Sequence, residues 1–133
     1  MNDHIYGTDV NIDNAKARAR VDINFFAGLC FPDIFIFPFP PYYVALFNFL
    51  IHAADNKEIE QVLRIAIGLP RGFIKTTFLK AIITYLIVHD KFSFFVICCA
   101  TEPHAENFVG DVYTILTSPN MEYLYGSWKK REL

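Results

Sequence analysis

Lys75, Thr76 and Thr77 close the stretch GLPRGFIKTTFLK (68–80), and a lysine followed by two hydroxyl side chains at the entry to a helix suits the binding of phosphate. Such loops work because consecutive backbone N–H groups at a helix start point into one concavity, where the helix dipole also favours an anion. In that role Lys75 reaches the β and γ phosphates of ATP, Thr76 is the Mg²⁺ ligand, Thr77 follows along the turn, and the amides of Gly72, Phe73 and Ile74 form the cradle. The strict spacing G-x-x-x-x-G-K-[ST] is not met: counted back from Lys75, its glycines would fall at Leu69 and Ile74, whereas the glycines present are Gly68 and Gly72. A β-branched isoleucine resists the positive φ that glycine takes beside a phosphate. On the motif alone, a nucleotide site and a chance match both stand open.

The flanking elements fit a loop between a strand and a helix. VLRIAIG (62–68) is a short, β-branched-rich apolar run stopped by Gly68, which predicts a buried strand. After Thr76, the run to His89 carries polar side chains only at Thr77, Lys80 and Thr84, predicting a largely covered helix over 76–89. FSFFVICCA (92–100) predicts a second strand, and Thr101-Glu102-Pro103 starts a helix in which Ala105, Phe108, Val109, Val112, Ile115 and Leu116 recur at spacings of three and four. Ser118-Pro119-Asn120 is expected to end it. Strand, loop, helix, strand, helix implies a right-handed βαβ unit with parallel strands. Upstream, Asp13 is read as the cap of a short helix through Ala15, Ala19 and Ile23 ending near Gly28; 30–41 runs extended over the core, and 42–54 is helical.

Composition narrows the function classes. With 133 residues, 53% of them hydrophobic and 17% aromatic, the chain suffices for one domain with a buried core. Twelve basic against 14 acidic residues, net −2, exclude the whole-domain basic signature of a dedicated nucleic-acid binder. Cys30, Cys98 and Cys99 form no C-x-x-C pair and are read as reduced core residues of an intracellular protein. His4, His52, His89 and His104 lack metal-site spacing. The first twenty residues have no apolar run of a secretory signal, and the uncharged stretch 34–54 contains Pro38, Pro40 and Pro41, leaving a helix short of the ~20 residues that cross a bilayer. No membrane association is expected.

LPRGFIKTTFLK followed by FFVICCATEPHAENFVGDVYTIL resembles the start of the ATPase domain of tailed-phage large terminase subunits, the motors that package DNA into proheads. The residues that carry the likeness are Arg71-Gly72, Lys75-Thr76-Thr77, Ala100-Thr101 and Ala105, with weaker support from FPFPPYY and SPNMEYLYG; it spans residues 20 to 130. The resemblance implies a P-loop NTPase-like three-layer α/β sandwich with a parallel sheet, of which this chain holds the N-terminal portion: 1–60 as a helical and extended lead-in with an adenine-contacting segment, 61–133 as the first strands and helices of the ATPase core. It implies ATP and Mg²⁺ as cofactors. Its implied partners are double-stranded viral DNA, a portal protein, a small terminase subunit and further copies of the same chain, in the host cell cytoplasm. It makes Arg71 the catalytic arginine over the phosphates and lets Tyr42, with Tyr43, stack the adenine. Two departures are plain: Ile74 stands where the family keeps a glycine, and the glutamine of the adenine segment is missing near 42–44.

Each residue also has a plainer reading: Lys75 as a helix-start lysine, Thr76 as a cap, Arg71 as a solvated loop charge, the tyrosines as core. For Thr101 and Glu102 a cap and a first-turn acid suffice, and for Lys129-Lys130-Arg131 a solvated terminus. Hydrolysis further requires an acidic motif on a later strand. Asp90 after LIVH and Asp33 after FAGLCFP imitate it in the wrong places, so the chain by itself is not expected to turn over ATP. A helicase-like ATPase of the same loop superfamily and a degenerate remnant that folds only against partners are the alternatives.

Overall fold

A computed structural model describes residues 9–33, 35, 37–55, 66–68, 75–89 and 94–128. The described fold is helical throughout: α1 (Asp9–Val21), α2 (Ile23–Cys30), α3 (Pro41–Asp55), α4 (Lys75–Val88), α5 (Glu102–Leu116) and α6 (Pro119–Tyr125). This overturns the expected α/β sandwich, because no strand or sheet occurs among the described residues. Of the first expected strand, residues 66–68 are irregular and exposed, and 62–65 lie outside the described residues. The second expected strand is irregular over 94–99, with Phe94 81% and Val96 68% exposed. β-Branched and aromatic side chains favour extended backbone, but a strand exists only where a neighbour completes its ladder. None of the described residues does so here.

The helices follow from local chemistry. Asp22 breaks the first expected helix in two: its Oδ1 accepts from the N–H groups of Asn24 (3.0 Å) and Phe25 (3.2 Å), so Asp22 rather than Asp13 is the capping aspartate. α3 begins on Pro41, whose fixed φ and missing N–H suit a first helical position. The same chemistry explains α6: α5 ends at Leu116, before Ser118-Pro119-Asn120 as expected, and Pro119 also opens this short helix. Gly126, at φ 84°, closes it in a conformation that favours glycine.

One aromatic core binds these elements. Ala19, Ile23, Phe26, Tyr43, Phe47, Phe78, Ala81, Tyr85, Met121 and Leu124 are buried together, so residues on both sides of the expected division at 60/61 share a single cluster. The Tyr43 ring stacks on Phe78 (4.4 Å between centroids, 23° between planes), and Tyr85 meets Phe26 and Phe47 edge-on at 5.4 and 4.9 Å. Such pairs add ~0.5–1.5 kcal/mol each beyond area burial. The Tyr85 hydroxyl donates to the Arg20 carbonyl (2.6 Å), satisfying an acceptor at the end of α1, and Thr84 donates back to the Lys80 carbonyl (2.8 Å). The segment between α2 and α3 is not all on the surface, as expected, but dips inward. Phe37 is exposed while Phe39 is buried against Phe78 and Tyr43, and its N–H donates to Asn24 Oδ1 at 2.7 Å.

Candidate functional site

Helical geometry divides α4 lengthwise. At 3.6 residues per turn, Phe78, Ala81, Ile82 and Tyr85 share one face and Thr76, Leu79, Lys80 and Ile83 share the opposite one. The first set is buried in the aromatic core. The second walls a cleft of about 910 Å³ whose other wall is an equivalent stripe of α5, His104, Asn107, Phe108 and Asp111, with 96–99 alongside. Lys80 spans the cleft: its Nζ lies 2.7 Å from Asp111 Oδ2 and 5.7 Å from the centre of the Phe108 ring. Farther along, Ile83 and Ile87 face Val109, Val112 and Leu116, so α4 and α5 run side by side in the same direction. Both helix N-termini therefore lie at the same end of the cleft.

That end is electrostatically uneven. α5 carries Glu102 in its first turn, which offsets the positive end of its dipole. α4 has no acidic residue in its first turn and begins on Lys75. A cation at a helix N-terminus is unfavourable by ~0.3–1 kcal/mol unless an anion answers it. Thr101 sits at the cap position of α5 with extended backbone and no side-chain capping bond.

The structure brings only part of the expected site together. Lys75 is the first residue of α4 and half-buried, and Thr76 is exposed on the cleft. Thr77 is half-buried one position round the helix. Arg71, Gly72, Phe73 and Ile74 lie outside the described residues, as do Asp90 and Lys129-Lys130-Arg131. Tyr42, exposed on α3, packs its ring at 4.8 Å on Tyr43, which reaches α4 through Phe78 on the core face. It is therefore associated with the side of α4 away from Thr76. Asp33 is exposed in the turn after α2.

For Mg²⁺, Thr76 supplies an oxygen-bearing side chain on the cleft, but Asp111, the carboxylate there, is engaged by Lys80. No group of three or more His, Cys, Asp or Glu residues suited to a metal occurs among the described residues. These donors fit an ion that arrives already coordinated by phosphates, not one held by a protein cage. No helix among the described residues is long and apolar enough to cross a membrane.

The cysteine expectation divides. Cys30 is in the core, where burial pushes its thiol well above the ordinary range. Cys98 and Cys99 are exposed on the cleft, correcting their reading as core residues. Apolar neighbours in sequence suggested burial, but the side chains that would have covered them belonged to a sheet the described fold lacks. His89 is wedged between Tyr85 (4.1 Å) and Tyr125 (5.7 Å), and its Nδ1 lies 2.9 Å from the Tyr85 carbonyl, so that nitrogen carries the proton. The α5 stripe at 104, 107, 108 and 111 is the part of the site that motif reading passed over. Its signal was available in the i, i+3, i+4, i+7 spacing that matches 76, 79, 80 and 83 on α4. Compared with protein-family models, curated proteins and solved structures, the chain finds no match.

Proposed function

We propose that the chain is a nucleoside-triphosphate-binding segment of a DNA-packaging motor of the terminase type, working in the host cell cytoplasm. Its cargo is double-stranded viral DNA, and its partners are a portal protein, a small terminase subunit and further copies of the chain. The observation that carries this reading is the start of α4. Lys75 and Thr76 open a helix with no first-turn acid, at the end of a cleft where α5 also begins. A triphosphate placed there gains the positive end of the α4 dipole and the Lys75 ammonium. Mg²⁺ bound with it would screen the phosphate charge, with Thr76 as the protein's hydroxyl contribution. The residues of this chain bind and orient; the acid that positions water is not among those on the cleft, since Asp111 is engaged by Lys80. Calorimetric titration of the full chain with Mg-ATP tests the reading. Binding that Lys75→Ala weakens by tenfold or more, roughly the worth of one charge-assisted contact, supports it; no binding, or equal binding by the variant, overturns it. Ile74→Gly in the same titration shows whether the bulky neighbour weakens the grip.

A second reading has its own observation. Phe94 and Val96 project into solvent, and Val109 and Tyr113 are exposed on α5. An element completed by another polypeptide would leave such surface open when alone. Catalytic inactivity of the isolated chain is compatible with both readings, whereas Mg-ATP binding separates them.

A further inference from the structure

We infer that the cleft between α4 and α5 holds the base of the bound nucleotide, with Asn107 reading an adenine edge, and that Tyr42 has no part in it. This subsite presupposes the triphosphate reading of the first turn of α4. Three observations converge on it. The cleft begins at Thr76, where the phosphates would sit, and continues between the two stripes with a volume of about 910 Å³, inside the ~300–1,000 Å³ common for small-molecule sites. Its walls suit a flat heterocycle: Leu79 and Ile83 on α4 are apolar, and His104 and Phe108 on α5 present rings one turn apart. Asn107 lines the cleft beside them, exposed, and its amide has no protein partner among the described residues. A side-chain amide presents a donor and an acceptor side by side, the pattern that pairs with N6 and N7 of adenine.

Tyr42 fails on placement. It packs on Tyr43, and Tyr43 on Phe78, so the tyrosine pair approaches α4 from the core face, opposite the Thr76 stripe. A nucleotide with its phosphates at Thr76 and its base in the cleft keeps to one face of the helix. One with its base on Tyr42 must cross the helix.

Titrations of the full chain with Mg-ATP and with magnesium tripolyphosphate, which has the phosphates and no base, separate the subsite from the phosphate site. Wild-type protein is expected to bind Mg-ATP at least about tenfold more tightly than tripolyphosphate, a single good polar contact plus stacking. Asn107→Leu should bring the two ligands within about threefold by weakening ATP alone, leaving tripolyphosphate affinity as it was. Asn107 is exposed, so this variant should fold, and Tyr42→Ala should leave both affinities unchanged. If tripolyphosphate binds as tightly as ATP, or Asn107→Leu spares ATP, or Tyr42→Ala removes the ATP advantage, the base subsite is wrong while the phosphate reading stands. If wild-type protein binds neither ligand, both fall together.

Discussion

The two long faces of α4 make the most instructive contrast in the molecule. They are built from the same 14 residues, and both are mainly apolar or weakly polar. On the core face the large side chains meet partners from elsewhere in the fold: Phe78 meets Tyr43 of α3 and Phe39 of the segment before it, and Tyr85 meets Phe26, Phe47 and the Arg20 carbonyl. The opposite face meets α5 through the Lys80–Asp111 ion pair, the Phe108 ring over Lys80 and, farther along, Val112 and Leu116, and between these it borders the open cleft. Helix formation does not decide which face is buried; the spacing of aromatic partners elsewhere in the chain does. The open face is left to ligands or other polypeptide.

The sharpest way to break that contrast is to remove Tyr85. Tyr85→Ala deletes a ring buried among three aromatic neighbours and leaves the Arg20 carbonyl without its donor, and a loss of ~3–5 kcal/mol is expected in urea unfolding. Tyr85→Phe, which keeps the ring, should cost only ~1–2 kcal/mol. A loss below 1 kcal/mol for Tyr85→Ala would mean that the core face is no better supported than the cleft face.

The next effect depends on pH and belongs to the core alone. Burial raises the pKa of Cys30, and it raises that of Tyr125 with further help from Cys30 and Tyr85 nearby. For these acids the folded state retains its proton where the unfolded state releases it. Their contribution is therefore fully present below the unfolded thiol value near pH 9 and is lost as pH rises above it. Stability should fall by up to ~1.4 kcal/mol per pH unit from Cys30 alone, and Cys30→Ala should flatten that slope. An unchanged slope in Cys30→Ala would contradict this assignment.

How far the sequence foretold this arrangement depends on which signal was read. The helices expected at 42–54 and 76–89 and after Thr101 form within a residue of where proline, glycine and apolar spacing placed them. The Asp22 break was hidden because the apolar period of α1 continues into α2, so only the cap geometry reveals it. Ser118-Pro119-Asn120 does mark the end of α5, and α6 beyond it was not foreseen because proline is equally at home at a helix start. The strands failed for a different reason. Composition reports a preference for extended backbone, but a sheet is a relation between segments, and residue types in one segment do not specify its neighbour. In the candidate site, Lys75 and Thr76 were legible from their types. The α5 stripe was not, because its residues become a wall only when α4 lies beside them.

The Lys80–Asp111 pair sharpens the contrast from the cleft side. Lys80 is 20% exposed but Asp111 is 57% exposed, so solvent screens much of the attraction. Asp111→Asn should cost less than ~1 kcal/mol, and the difference from wild type should shrink between low and high salt. A larger, salt-independent loss would show the cleft to be a closed structural interface. In that event it would not be available to a nucleotide.

The smallest effect on stability is the most diagnostic, because its sign separates function from fold. Lys75 stands at the positive end of α4 with no acid in the first turn. If it were there to support the helix, Lys75→Ala would destabilise the protein. Dipole and propensity argue the reverse: alanine removes an unfavourable charge and favours the helix, so the ligand-free variant should be unchanged or more stable by ~0.3–1 kcal/mol at low ionic strength. The same substitution should abolish the stabilisation that Mg-ATP gives the wild type in a thermal melt. A residue whose removal relaxes the fold while removing the ligand's effect acts on the ligand more than on the fold. A loss of stability in the absence of nucleotide would instead return Lys75 to the fold and leave the cleft mouth without its strongest reason to attract an anion.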